Sequence, residues 1–362
     1  MNKTRIKFPN QKSPEFISEL RAEVKKHFEE NGNNRFGNSS LFVKTAFMLT
    51  LYFAPLVVMI TGLVTAWPLV LALWSVMGVA VAGIGMGVMH DANHGSYSRI
   101  PQVNKWMSKT LYLLGGFPVN WKYQHNTMHH GFTNIDGHDE DIEPVGILRF
   151  SPHKPLLKIH KYQHWYAWFF YGLMTFSWVT FKDFKQLTGY KRENARLNSP
   201  KSYNRLMKEL IISKVFYYIV FLIIPMILIP VPWYLTLAGF LLMHFIAGLI
   251  LGAVFQAAHV VPTSEYPLPD DEGNVENNWA IHQLLTTSDF APKNKLLSWY
   301  TGGLNFQVVH HLFPNISHVH YKKLSPLVQS AAQKHNLPYY VEKNFAQAIR
   351  SHTKMLYMLG RE

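Results

Sequence analysis

The hydrophobic positions of this chain fall into two long blocks, flanked and separated by polar sequence. From Thr45 to Met89 there is no Lys, Arg, Asp or Glu, and a buried soluble helix seldom runs that far without a charge. At roughly 20 residues per crossing, this block holds two transmembrane helices, joined by a tight turn at Ala66-Trp67-Pro68. From Val215 to Ala258 the pattern repeats, broken by Pro230-Val231-Pro232-Trp233. Backbone polar groups must be satisfied internally in lipid. The pattern therefore predicts an all-α membrane protein with four transmembrane helices in two hairpins, at about 45–66, 69–89, 212–230 and 233–258. A single domain is expected over residues 1–362.

A third apolar stretch, His164 to Phe184, reads HWYAWFFYGLMTFSWVTFKDF. One extra crossing here would put the later polar segments on the opposite side of the bilayer from the earlier ones. Trp, Tyr and Phe also favour the membrane–water boundary. The stretch is expected to lie in the interface as an amphipathic helix; Val103 to Phe117 is a weaker candidate for the same role. A polar run rich in Lys and Asn follows, from Lys185 to Lys208.

Charge then gives direction. Of the 35 Lys and Arg, nine lie up to Lys44, seventeen from Arg99 to Lys214 and nine from Lys293 onward, so the hairpin turns carry none. Positive residues stay inside, which predicts cytoplasmic termini and a cytoplasmic central loop in a bacterial inner membrane. The net charge of +13 suits anionic headgroups. It flanks the apolar blocks and comes with no nucleic-acid motif, so a nucleic-acid partner is not expected. The first forty residues lack an apolar core, and no cleavable signal peptide is expected. With no cysteine, disulfides, thiolate ligands and a built-in iron–sulfur cluster are excluded.

The candidate chemistry lies in the histidines. Seven fall into three clusters: His90-Asp91-Ala92-Asn93-His94, His125-Asn126-Thr127-Met128-His129-His130, and Gln307-Val308-Val309-His310-His311. His259 stands alone at the end of the second apolar block. A spacing of i, i+4 puts two imidazoles on one helix face, and neutral imidazole is the commonest transition-metal ligand. One cluster alone is better explained by packing; three in order point to a metal site with too many ligands for one ion. Others, His27, His153, His160, His335 and His352, sit among charged residues and read as solvated surface. Zinc needs only four ligands and haem one or two. Ligand type leaves copper open, whereas iron best suits a redox reaction on a membrane-embedded substrate. A metal transporter would place ionisable residues within the spans, where only His244 is expected.

HDANH, then HNTMHH, then QVVHH after the second apolar block resembles the three-histidine-box pattern of integral-membrane fatty acid desaturases. The likeness covers roughly Thr45 to His320. Glutamine at the start of the third box is similar to the front-end subgroup, which adds a double bond between an existing one and the carboxyl end. Trp279-Ala280-Ile281-His282-Gln283-Leu284 and Gly302-Gly303-Leu304-Asn305 fit that subgroup too. The resemblance implies a di-iron site in a cytoplasmic helical cap, with His90, His94, His125, His129, His130, His259, His310 and His311 as ligands. Gln307 would bind weakly or through water, and Asp91, Asn93 and Asn126 would orient imidazoles. It further implies O2 as co-substrate, a fatty acyl lipid or acyl-CoA substrate, and a cis double bond as product. Family members often carry a fused cytochrome b5 domain with a His-Pro-Gly-Gly motif. This sequence has no such motif, so a separate donor with its reductase is expected, ferredoxin-like or cytochrome b5. A membrane hydroxylase of lipid or hydrocarbon is the nearest alternative.

Overall fold

The computed structural model describes residues 6–9, 14–143, 146–197 and 199–362. Four helices are long and apolar enough to cross a membrane: α2 (Ser39–Ile60), α3 (Trp67–Asn93), α7 (Tyr203–Leu228) and α8 (Trp233–His259). Their ends follow local chemistry. The Asn38 side chain accepts from the Ser40 N–H at 3.1 Å to start α2, and Pro68 sits in the first turn of α3, where a missing N–H is harmless. The first helix begins six residues before the expected position, because Lys44 lies inside it and is buried. Likewise α7 begins at Tyr203, nine residues before the expected 212, and buries Lys214, whose Nζ pairs with the buried Asp183 carboxylate at 2.6 Å. His244 is thus not the sole ionisable side chain in the long apolar helices, because Lys44 and Lys214 are buried near the starts of the apolar runs of α2 and α7.

Glycine lets α3 and α8 meet closely. A Cβ on Gly78 would stand 2.6 Å from the Met243 carbonyl oxygen. Around this contact Trp74, Met77, Tyr217, Phe221, Phe240 and Met243 form one buried apolar cluster. The aromatic stretch expected at 164–184 lies within a longer helix, α6, at 163–192. It packs across α8 where a Cβ on Gly248 would meet the Tyr171 carbonyl oxygen at 2.5 Å. Trp165, Phe169 and Phe181 on α6 remain exposed.

The segments outside these helices form shorter elements. They comprise α1 (Pro14–Glu30), α4 (Pro101–Ser108), α5 (118–132), α9 (Trp279–Leu285), α10 (Lys295–Tyr300), α11 (Gln307–Leu312), α12 (Tyr321–Lys334) and α13 (Phe345–Leu359). A minor addition to the all-α expectation is a parallel pair of two-residue strands, β1 (Asp289–Phe290) and β2 (Val341–Glu342). Phe16, Leu20, Val24 and Phe28 of α1 share a buried cluster with Leu324 and Val328 of α12 and with Val308, Val309 and Leu312 of α11. That wall fixes the third histidine box. Two histidines read as surface are inside: His160 is 2% and His352 0% exposed. His352 Nδ1–H points at the Val260 carbonyl at 2.8 Å, and its Nε2 meets the Tyr171 hydroxyl at 2.7 Å. The charged neighbours of His352 in sequence occupy the opposite face of the amphipathic α13.

Candidate metal centre

Each histidine box is placed by helix geometry. The α3 backbone widens to i→i+5 hydrogen bonding at Gly85–Met89 and then tightens at His90, so His90 and His94 share one face. Such wide turns often mark functional sites. In α5 the wide winding runs from Lys122 to His129. It lets His125, His129 and His130 all project to one side, which regular i, i+4 spacing alone would not do. The final turn of α8 delivers His259. On α11, the adjacent His310 and His311 diverge by about 100° around the helix, each toward a different group of rings.

The result is one buried constellation drawn from four distant segments. The ring nitrogens of His90, His94, His125 and His310 lie within 4.8 Å of one another, as do those of His129, His259 and His311. His130 stands between the groups. Its Nε2 is 3.2 Å from His125 Nε2 and 3.0 Å from His310 Nε2, and its ring stacks on His311 with centroids 4.4 Å apart. His90 Nε2 is 3.1 Å from His125 Nε2. Nε2 of His94, His129, His259 and His311 is buried with no hydrogen-bond partner among the described residues. Convergent lone pairs with nothing to satisfy them are the geometry of a cation site.

Electrostatics agrees. Burial first, and mutual repulsion second, push His125, His130, His310 and His311 well below the usual imidazole range. They are neutral, as metal ligands must be. His129 differs: burial opposes its charge, but the Asp139 carboxylate outweighs that and raises it.

The groups that orient these rings are not those expected. His129 Nδ1 faces Asp139 Oδ2 at 3.1 Å, His311 Nδ1 faces Gln283 Oε1 at 2.7 Å, His310 Nδ1 meets the Tyr321 hydroxyl at 3.1 Å, and His259 Nδ1 approaches the Thr286 carbonyl at 3.3 Å. A hydrogen bond at Nδ1 leaves Nε2 aimed inward. Asp91 instead holds Ser317 and His318, at 2.7 and 2.9 Å, because position i+1 lies about 100° around the helix from His90. The Asn93 carbonyl accepts from Asn126 Nδ2 at 3.0 Å, and its side chain accepts from Ser108. These three residues tie box one to box two, to α4 and to the turn ahead of α12, not to an imidazole of the cluster. Gln307 is buried beside His259. The acidic run His138-Asp139-Glu140-Asp141 was the overlooked signal for Asp139. Asp141, whose carboxylate groups with His125 and His129, is pushed up to about 6 chiefly by burial. Nothing in sequence marked Tyr321.

Comparison with known proteins gives the same direction. The profile of the family described as Fatty acid desaturase matches residues 65–343. The chain is 33% identical over 356 residues to an sn-1 linoleoyl-lipid 6-desaturase of Arthrospira platensis, covering 98% of this chain and 95% of that protein. A protein of the same description from Synechocystis is 32% identical, covering 99% and 98%. An acyl-lipid (8-3)-desaturase of Physcomitrium patens is 30% identical, covering 99% of this chain and 74% of its own length. With three histidine boxes closing on one buried point in a chain that carries four long apolar helices, the chain belongs to the fatty acid desaturase family.

Proposed function

We propose that this enzyme is an O2-dependent front-end desaturase that introduces a cis double bond into the acyl chain of a membrane lipid, using two iron ions. The observation that carries the reading is the split of the cluster into a group of four imidazoles and a group of three, with His130 between them. His90, His94, His125 and His310 would hold one ion and His129, His259 and His311 the other, His130 joining either, with Gln307 binding weakly or through water. The iron supplies, with O2 and two electrons, an oxidant able to take hydrogen atoms from an unactivated methylene. No side-chain base can do this, since nothing delocalises the carbanion. The protein's part is to hold the ligand nitrogens neutral and aimed inward. The 6-desaturase and (8-3)-desaturase descriptions of the relatives support desaturation near the carboxyl end rather than hydroxylation.

In this reading α2/α3 and α7/α8 form two hairpins, α6 lies in the interface, and the polar helices form a cap on the cytoplasmic side of a bacterial inner membrane. The distribution of Lys and Arg and the cyanobacterial relatives support that placement. Electrons come from a separate carrier, ferredoxin-like or cytochrome b5, with its reductase. Expression in a host of defined lipid profile, followed by gas chromatography with double-bond localisation, tests the function. A new cis bond on the carboxyl side of an existing one is expected; a hydroxylated product, or none, would overturn it.

A further inference from the structure

On the histidine side of the long helices, a cleft of about 410 Å³ opens between the segment ahead of α2 and the turn entering α4. Four cations line it, Arg35, Arg99, Lys105 and Lys122, and no carboxylate does. None of the four forms an ion pair with a described residue. Its volume suits a small ligand. The cleft is also shaped in advance. Asn104 Oδ1 accepts from the Ser98 N–H at 2.8 Å while its Nδ2 donates to the Ser98 carbonyl at 2.7 Å, which pins the loop carrying Arg99.

Two further features place the ligand. Asn93 and Gly95 in the cleft wall stand on either side of His94, which is half-buried. The cleft is therefore the outer side of the helical turn whose inner side presents His90 and His94 to the cluster. Beside it, Ile100 and Trp106 are 59% and 56% exposed, and Lys109 Nζ lies 4.1 Å over the Trp106 ring. An exposed Trp with a neighbouring Lys is a membrane-boundary signature.

We propose that this cleft binds the phosphate of the substrate's headgroup and so sets where along the acyl chain the double bond forms. The inference rests on the front-end desaturase reading. A bond made near the carboxyl end leaves only a few methylenes between headgroup and irons, so the headgroup must bind close to the cluster. Four cations without counter-charges in a concave site fit a phosphate. The membrane-boundary residues beside it favour a phosphodiester of a bilayer phospholipid; the phosphates of an acyl-CoA share the chemistry.

The test uses purified enzyme in nanodiscs with its electron carrier. Linoleoyl chains are presented on phosphatidylglycerol, on uncharged monogalactosyldiacylglycerol or as linoleoyl-CoA. The double variant Arg99→Gln/Lys105→Gln is compared with wild type and with Lys295→Gln, an exposed lysine elsewhere. Loss of two charge-assisted hydrogen bonds should raise KM for the phosphate-bearing substrate by about 10- to 100-fold, with kcat unchanged and the galactolipid unaffected. A rise on phosphatidylglycerol identifies a phospholipid source, and a rise on the thioester alone identifies CoA. An unchanged KM on both, an equal rise on the galactolipid, or a rise only in KM for the electron carrier overturns the proposal. Binding of short-chain phosphatidylglycerol to the detergent-purified protein, followed by tryptophan fluorescence, separates the two readings. Binding that weakens in the double variant while no lipid is desaturated removes the desaturase reading and leaves the cleft standing.

Discussion

At the scale of single residues, the site is a set of nitrogen lone pairs that repel one another until a cation arrives. His90→Ala, His129→Ala and His310→Ala should each abolish product and lower bound iron while leaving the protein in the membrane fraction. Near-normal turnover in any one would remove that residue from the ligand set. The orienting groups act one bond further out. Asp139→Asn should reduce iron affinity by about 10- to 100-fold, read by metal analysis after dialysis against a chelator, because His129 loses its anionic acceptor. The box histidines were legible in the sequence because repeated pairs at helical spacing are rare by chance. Gln283 and Tyr321 were not, because they meet His311 and His310 only through folding, and one glutamine or tyrosine carries no periodic signal. Asp91, Asn93 and Asn126 looked better placed than they are, since nearness in sequence is not nearness around a helix.

At the scale of elements, α11 depends on a residue far from any box. Asp289 Oδ1 accepts from the Val308 N–H at 2.9 Å, and Oδ2 accepts from the Tyr339 hydroxyl at 2.5 Å. This carboxyl thus caps the helix of box three and ties it to the segment leading into β2. Burial pushes it up from 3.8 to about 7 against those hydrogen bonds. Its folded value lies above its unfolded one, so the folded protein holds a proton that the unfolded chain releases. The associated stability is complete below pH 3.8 and is lost as pH rises through 7. Asp289→Asn keeps an oxygen for Val308 but cannot titrate. Thermal unfolding of the variant between those limits should show a flatter pH slope than wild type; parallel slopes would exclude Asp289 as the source. Element existence was well read from hydropathy, because long uncharged runs leave few alternatives. Boundaries were read less well, since α2 starts at Ser39 with Lys44 buried inside it, and α7 starts at Tyr203, nine residues before the expected 212. The two-residue strands are too short for any pattern to show.

At the scale of the whole molecule, the asymmetry of positive charge leads to two outcomes. Tags at the N-terminus, within residues 185–208 and at the C-terminus should all report the cytoplasm, and a central tag on the opposite side from both ends would overturn the interfacial placement of α6. An acidic carrier steered to the basic face by opposite charge should lose efficiency as the Debye length falls below about 10 Å. Salt-insensitive turnover would remove the acidic carrier, and sustained turnover with NADH alone would remove the separate donor. The single constellation drawn from α3, α5, α8 and α11 also bears on how the protein is made. Ribosomal synthesis delivers His90 well before His311, so on the proposed two-ion assignment neither ion could be captured in full until both apolar blocks were inserted and α11 had closed. On that assignment metallation would follow insertion and would act as a check upon it. Cells starved of iron should accumulate inserted but protease-sensitive chains, and restoring iron should convert them to a resistant form without new translation.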